Sequence, residues 1–230
     1  MEFNLKLNDK VFIIFHIAYT IITALMLLIP SSYIKIGVKL FILVIIYNIS
    51  TFLIGVLTKD EIWLRIWAFS FLISIFQIFP DWFLSAELNI LVFPEDGFPK
   101  IGTVSGYMFG LWTIPLFIII FIGIKSRERL TELKAILIVL LLSLLIFGMS
   151  EATIWMIGSW YPQNVTILFN HIAIYIIPAE LILGYSSYFV FTRIKDINKY
   201  YYYFPISFSI MLLYLGSSVF FYFLIERIMS

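Results

Sequence analysis

The sequence has no cysteine and only two histidines, His16 and His171. The first absence excludes disulfides, thiolate metal sites and cysteine nucleophiles. The second leaves a multi-histidine metal centre without ligands. No metal and no cofactor are expected. Charge is also scarce: 13% of residues are Asp, Glu, Lys or Arg, against about a quarter in a soluble domain. The signs nearly cancel, at 15 basic and 14 acidic residues, so no net field draws nucleic acid or an acidic substrate. No phosphate-binding glycine loop and no HExxH pair is present, which excludes nucleotide-driven pumping and zincin-type proteolysis within this chain. No small-residue cleavage pattern follows the first apolar run, so no cleavable signal peptide is expected.

Apolar side chains dominate instead. They make up 62% of the 230 residues, and the mean hydropathy is +1.03. One water-soluble core cannot absorb that fraction. The composition predicts an all-α, polytopic membrane helix bundle, integral to the plasma (inner) membrane, with the lipid bilayer as its surroundings. A span needs about 20 mainly apolar residues. Seven stretches qualify, at residues 11–30, 36–57, 62–83, 104–124, 135–155, 167–190 and 204–225, in a single transmembrane domain over 1–230. With the amino terminus inside, Lys6, Lys10, Lys59, Arg65, Lys125, Arg127, Arg129, Lys134, Arg193, Lys195 and Lys199 share the inner side; only Lys35, Lys39, Lys100 and Arg227 fall outside. The positive-inside rule therefore predicts seven helices with the amino terminus in and the carboxyl terminus out.

Polar side chains within these spans should face other helices. Ser70, Ser74, Gln77, Asp81 and Ser85 recur at steps of 4, 3, 4 and 4 on the third span, which places them on one helical face. His16, Thr20 and Thr23 on the first span, and Asn48, Thr51 and Gly55 on the second, form shorter stripes that packing and interhelical hydrogen bonds explain. Gly102, Gly106, Gly110 and Thr113 give the fourth span a small-residue face for close helix approach. Asp81 asks for more, because a buried carboxyl costs about 2.5–3.5 kcal/mol on insertion scales. Two further acids share its situation. Glu151 lies in the fifth span, with Trp155 four residues on and expected on the same face. Glu180 lies in the sixth, two residues after Pro178, which is expected to kink the helix and free a carbonyl. His171 falls on the face opposite Glu180, and Asn170 nearer to it.

A carboxyl in a low-dielectric site favours its neutral form, and a neutral acid in an apolar cavity is a proton donor. Asp81, Glu151 and Glu180 are accordingly the candidate catalytic residues. Tyr107, Trp112, Trp155, Asn170 and His171 are the candidate substrate-binding residues, the aromatic faces being suited to a carbocation. The plainer account of each acid is a neutral carboxyl bonded to a neighbouring carbonyl.

The middle of the chain repeats itself, over 62–124 and again over 135–190. Pro80-Asp81-Trp82, Val92-Phe93-Pro94 and a segment ending Ile114-Pro115 are answered by Ser150-Glu151-Ala152, Trp160-Tyr161-Pro162 and a segment ending Ile177-Pro178. Both copies run in the same direction, so the repeat is parallel.

Glu151, then Trp160-Tyr161-Pro162, then Pro178-Ala179-Glu180 resembles the pattern of the integral-membrane lycopene cyclase domain family. The resemblance covers residues 135–190, and 75–120 more faintly; the family's second Glu is Leu181 here. It implies duplicated units of about three helices, and buried acids that protonate a polyene to direct ring closure without net redox change. The expected function is thus an acid-initiated, non-redox cyclase or isomerase acting on an isoprenoid (a carotenoid or terpene) or another apolar membrane lipid. The alternatives are a small proton-coupled transporter and a subunit of a membrane complex. A retinal-binding protein is excluded, because the last span has no lysine for a Schiff base.

Overall fold

The computed structural model describes residues 7–197 and 199–228; Lys6, counted above with the inner basic residues, lies outside them. The described residues form seven long helices: α1 (Leu7–Leu28), α2 (Ile36–Thr58), α3 (Glu61–Glu87), α4 (Met108–Arg129), α5 (Glu132–Ile157), α6 (Ile176–Ile194) and α7 (Tyr200–Ile228). All but α6 are long and apolar enough to cross a membrane. The chain has the make-up of a multi-pass membrane protein. Large apolar side chains such as Ile14, Leu25, Leu57 and Phe220 stand exposed on the outer faces of the helices, where only an apolar medium would cover them.

The interior explains why α6 differs. Ten of its nineteen residues are buried, among them Glu180, Ser186 and Ser187, and it packs against α4, α5 and α7. A helix wrapped by protein needs no apolar face for lipid, so its hydropathy can fall. At the other extreme α1 leans on α2 and is scarcely buried. It is held at one end by Asp9, which pairs with Arg129 at 2.6 Å and Lys125 at 3.5 Å. Arg65 at that same end donates to the carbonyls of Lys195 and Ile197. Asn8 donates to Asp60 there. The basic turns thus gather at one end of the bundle, the basic end. The polar stripe on α3 is buried throughout, from Ser70 to Ser85.

The opposite end carries short strands: β1 (Leu91–Val92), β2 (Lys100–Ile101), β3 (Val104–Ser105), β4 (Tyr161–Pro162), β5 (Ile167–Leu168) and β6 (Ile172–Ala173). β2 pairs with β3, and β5 with β6, as tight hairpins. β1 pairs antiparallel with β4, matching Leu91 to Pro162 and Val92 to Tyr161. The order helix, strand, hairpin, helix therefore occurs twice, over α3–α4 and over α5–α6. β4, β5, β6 and α6 begin 70, 67, 68 and 68 residues after β1, β2, β3 and α4.

These strands correct two expected helix starts. Residues 104–107 and 167–175 are hairpin and turn, not helix. Gly102, at φ +62°, turns the first hairpin; Phe169 and Asn170, at +51° and +66°, turn the second. Both hairpins are apolar and buried at Val104, Ile172 and Ala173, and hydropathy alone does not distinguish a buried strand from a helix. The small-residue face expected on the fourth span is therefore broken: Gly102 and Gly106 precede α4. Pro178 is likewise no mid-span kink. It is the third residue of α6, where its missing N–H has no intrahelical acceptor to lose. The helix does break where Pro80 and Pro115 remove interior bonds, near Gln77 in α3 and Trp112 in α4. Ile114-Pro115 and Ile177-Pro178 consequently occupy different places in their helices.

Candidate active site

Asp81 and Glu151 each stand six residues before the hairpin-end terminus of their helix, and Glu180 is the fifth residue of α6. All three carboxyls line one cavity of about 30 Å³. Its wall includes Trp112 from α4, Trp160 next to β4, Tyr175 at the cap of α6 and Tyr214 from α7; Phe93 and Pro162 lie on the hairpin side. Such a cavity admits about one or two waters.

The acids are not equivalent. The Trp112 indole N–H donates to Asp81 Oδ2 at 3.2 Å, and the Trp160 indole N–H donates to Glu151 Oε1 at 2.9 Å. An indole is a donor only, so each fixes one oxygen of its acid as an acceptor. Glu180 is buried and makes no hydrogen bond to any described residue.

A larger apolar groove of about 280 Å³ adjoins the cavity. Tyr19, Thr23 and Leu27 of α1, Leu40 and Leu43 of α2, Ile118 of α4, and Ile146 and Phe147 of α5 form its sides. Met108, Trp112, Glu151, Trp160 and Glu180 belong to both spaces, so Glu151 and Glu180 stand between the groove and the cavity, and Asp81 lies on the cavity side only. The loose packing of α1 against the rest of the bundle leaves the groove room between α1 and α5.

The sequence of a domain of unknown function, DUF6989, matches residues 78–225. The chain belongs to this family. No curated protein and no solved structure matches it. The matched range holds every residue of the acid cavity, from Asp81 to Tyr214, whereas the α1 and α2 walls of the groove lie before it.

Of the other residues expected at the site, only Trp112 reaches the acids. Trp155 follows the end of regular α-helix at Thr153 and sits in a tighter turn over Ile154–Ile157, which carries it off the face of Glu151. Its indole donates to the Ala152 carbonyl, and its ring stacks on His171 with centroids 3.8 Å apart. Asn170 is in the hairpin turn. Tyr107 caps α4 away from the cavity; its hydroxyl bonds Ser159 Oγ at 2.6 Å, and burial pushes its phenol above the usual range. His16 is a packing residue, with Nδ1 at the Phe12 carbonyl and Nε2 at the Tyr47 hydroxyl. Trp160, Tyr175 and Tyr214 were not expected at the site. A signal for Tyr214 was present: Tyr203, Ser207, Tyr214, Ser218 and Tyr222 recur at helical spacing on α7, and all are buried.

Proposed function

We propose that this protein is a membrane enzyme that isomerises or cyclises an isoprenoid or similar apolar lipid by acid catalysis. The observation that carries the reading is the cavity beside the groove: three carboxyls and four aromatic rings where an apolar chain would end. A lipid unsaturated chain fits the groove, with one double bond over the small cavity. The protonated Glu180 carboxyl adds its proton to one alkene carbon and leaves a carboxylate. The carbocation that forms on the other carbon faces Trp112, Trp160 and Tyr214, whose π-clouds favour a cation. It either moves the double bond or is captured by a second double bond to close a ring. Loss of a proton from a neighbouring carbon to an ionised Asp81 or Glu151 ends the reaction, with no net redox change. The likeness of the Glu151, Trp160-Tyr161-Pro162 and Pro178-Ala179-Glu180 pattern to the lycopene cyclase domains supports this reaction class.

The finer architecture is part of the same proposal. The recurrence of helix, strand, hairpin and helix supports a parallel duplication, with Asp81 and Glu151 in corresponding places. The gathering of the basic turns supports seven spans in the plasma (inner) membrane, amino terminus in and carboxyl terminus out.

Lipid extracts of cells expressing the protein should contain a product, isomeric with a host isoprenoid, that empty-vector cells lack. Glu180→Gln should lower its yield by on the order of a hundredfold to ten-thousandfold, with protein accumulation unchanged. Equal lipid profiles would sink the enzyme reading, and proton-coupled uptake into vesicles without lipid turnover would favour a transporter instead.

A further inference from the structure

The acid cavity leaves a second set of buried polar residues unexplained. Ser70, Ser74 and Gln77 on α3, Ser187 on α6 and Ser207 on α7 are fully buried. Their side-chain oxygens, and the Gln77 amide nitrogen, have no hydrogen-bond partner among the described residues. Other buried serines in this bundle do not share that condition. Ser143 and Ser218 fold back onto the carbonyl four residues earlier, at 2.8 Å in both cases.

Thr51 and Thr113 are also buried without a partner among the described residues, but these five are arranged along one line. On α3 they precede Asp81 by four, seven and eleven residues. Ser187 follows Glu180 by seven, and Ser207 precedes Tyr214 by seven. α3 and α7 run from the basic end to the hairpin end and α6 runs back, so every displacement points from the acid cavity toward the basic end. Two helical turns span about 10 Å at the usual rise. The three helices pack against one another in pairs. Ring contacts of Phe69 with Tyr203 (5.6 Å) and of Phe76 with Phe208 (5.4 Å) set α7 against α3, which brings Ser207 near the level of Ser74. Beyond Ser70 stands Arg65, which ties down the turn between α6 and α7. The column thus runs from the polar rim to the acids.

Hydroxyls and an amide buried among helices in an apolar medium are costly unless something bonds them. Small buried waters, each bonded to two to four polar groups, are the usual answer. We infer that Ser70, Ser74, Gln77, Ser187 and Ser207 hold a file of water molecules that carries protons between the basic end of the bundle and the Asp81–Glu180 cavity. Each water passes a proton forward and takes one from behind, so each stays a neutral water and turns back before the next transfer; at the end of the file a carboxylate becomes a carboxylic acid. The inference deepens the proposed reaction, since it gives the acids a proton supply while lipid fills the groove. Its test needs no substrate, so the two can fail separately.

The full chain, in lipid nanodiscs and labelled with isotope at tryptophan, is moved into deuterium oxide, and indole N–H exchange is followed by NMR. The Trp112 indole, which donates to Asp81, reports on the cavity. The Trp63 indole, buried and bonded to the Thr51 carbonyl at 2.7 Å, reports on the integrity of the fold. Ser74→Val and Gln77→Leu should each slow Trp112 exchange about tenfold and leave Trp63 unchanged. Ser207→Ala, a milder change, should act in the same direction if either of the first two perturbs the fold. Trp112 exchange that all three variants leave unchanged would overturn the inference, as would exchange in the unaltered protein no faster than its global unfolding.

Discussion

Two indole nitrogens sort three chemically similar acids. Trp112 and Trp160 can only donate, so they hold Asp81 and Glu151 as acceptors, whereas Glu180 faces the cavity with no hydrogen-bond partner among the described residues. In the proposed reaction the division of labour follows from that difference: Glu180 would give the proton, and the held acids would receive it back. On that proposal Trp112 would act through Asp81 as well as through its ring, and the two contributions are separable. Trp112→Phe keeps an aromatic face and deletes the N–H. A hydrogen bond to a charged group contributes about 1.5–3 kcal/mol, so product formation should fall about ten- to a hundredfold with protein levels unchanged. A variant with full activity would show that the indole bond does not position the acid.

At the scale of elements, close approach decides α6. Gly184 lies where this helix meets α5 and α4; a Cβ there would land on Ser143 Oγ, with the Ile119 side chain at 3.6 Å. Gly184→Ala should therefore cost about 1–3 kcal/mol by overpacking, read as a lower unfolding midpoint in nanodiscs. The added change Ser143→Gly removes the colliding atom and should recover most of the loss; no recovery would place the strain elsewhere. The prolines carry a related lesson. All three were visible in the sequence, yet Pro80 and Pro115 break their helices and Pro178 does not. The difference is position: Pro178 falls in a first turn, and that turn starts later than hydropathy indicates because an apolar hairpin precedes it.

At the scale of the molecule, the orientation is the quantity most open to direct measurement, and the lack of cysteine makes it practical. Glu95→Cys lies in the hairpin-end loop, and Lys59→Cys in the turn between α2 and α3 at the basic end. A membrane-impermeant maleimide added to intact cells should label the first and not the second, with both labelled after lysis. The reverse pattern would invert the proposed topology.

The apolar content and the spacing of its breaks determined by themselves that this chain forms a bundle of long membrane-type helices, because about 20 residues of helix and about 20 apolar residues are the same physical length. They also singled out Asp81, Glu151 and Glu180, since an acid in an apolar run is too costly to be incidental. Only the tertiary structure decided that these three share one cavity, that Trp160, Tyr175 and Tyr214 close around it, and that Trp155, Asn170 and His171 lie elsewhere. The reason is geometric. A helical repeat predicts which side chains share a face, but not where a helix gives way to a tighter turn or a hairpin. It also does not predict which faces of distant helices meet, and this site draws on α3, α4, α5, α6 and α7 at once.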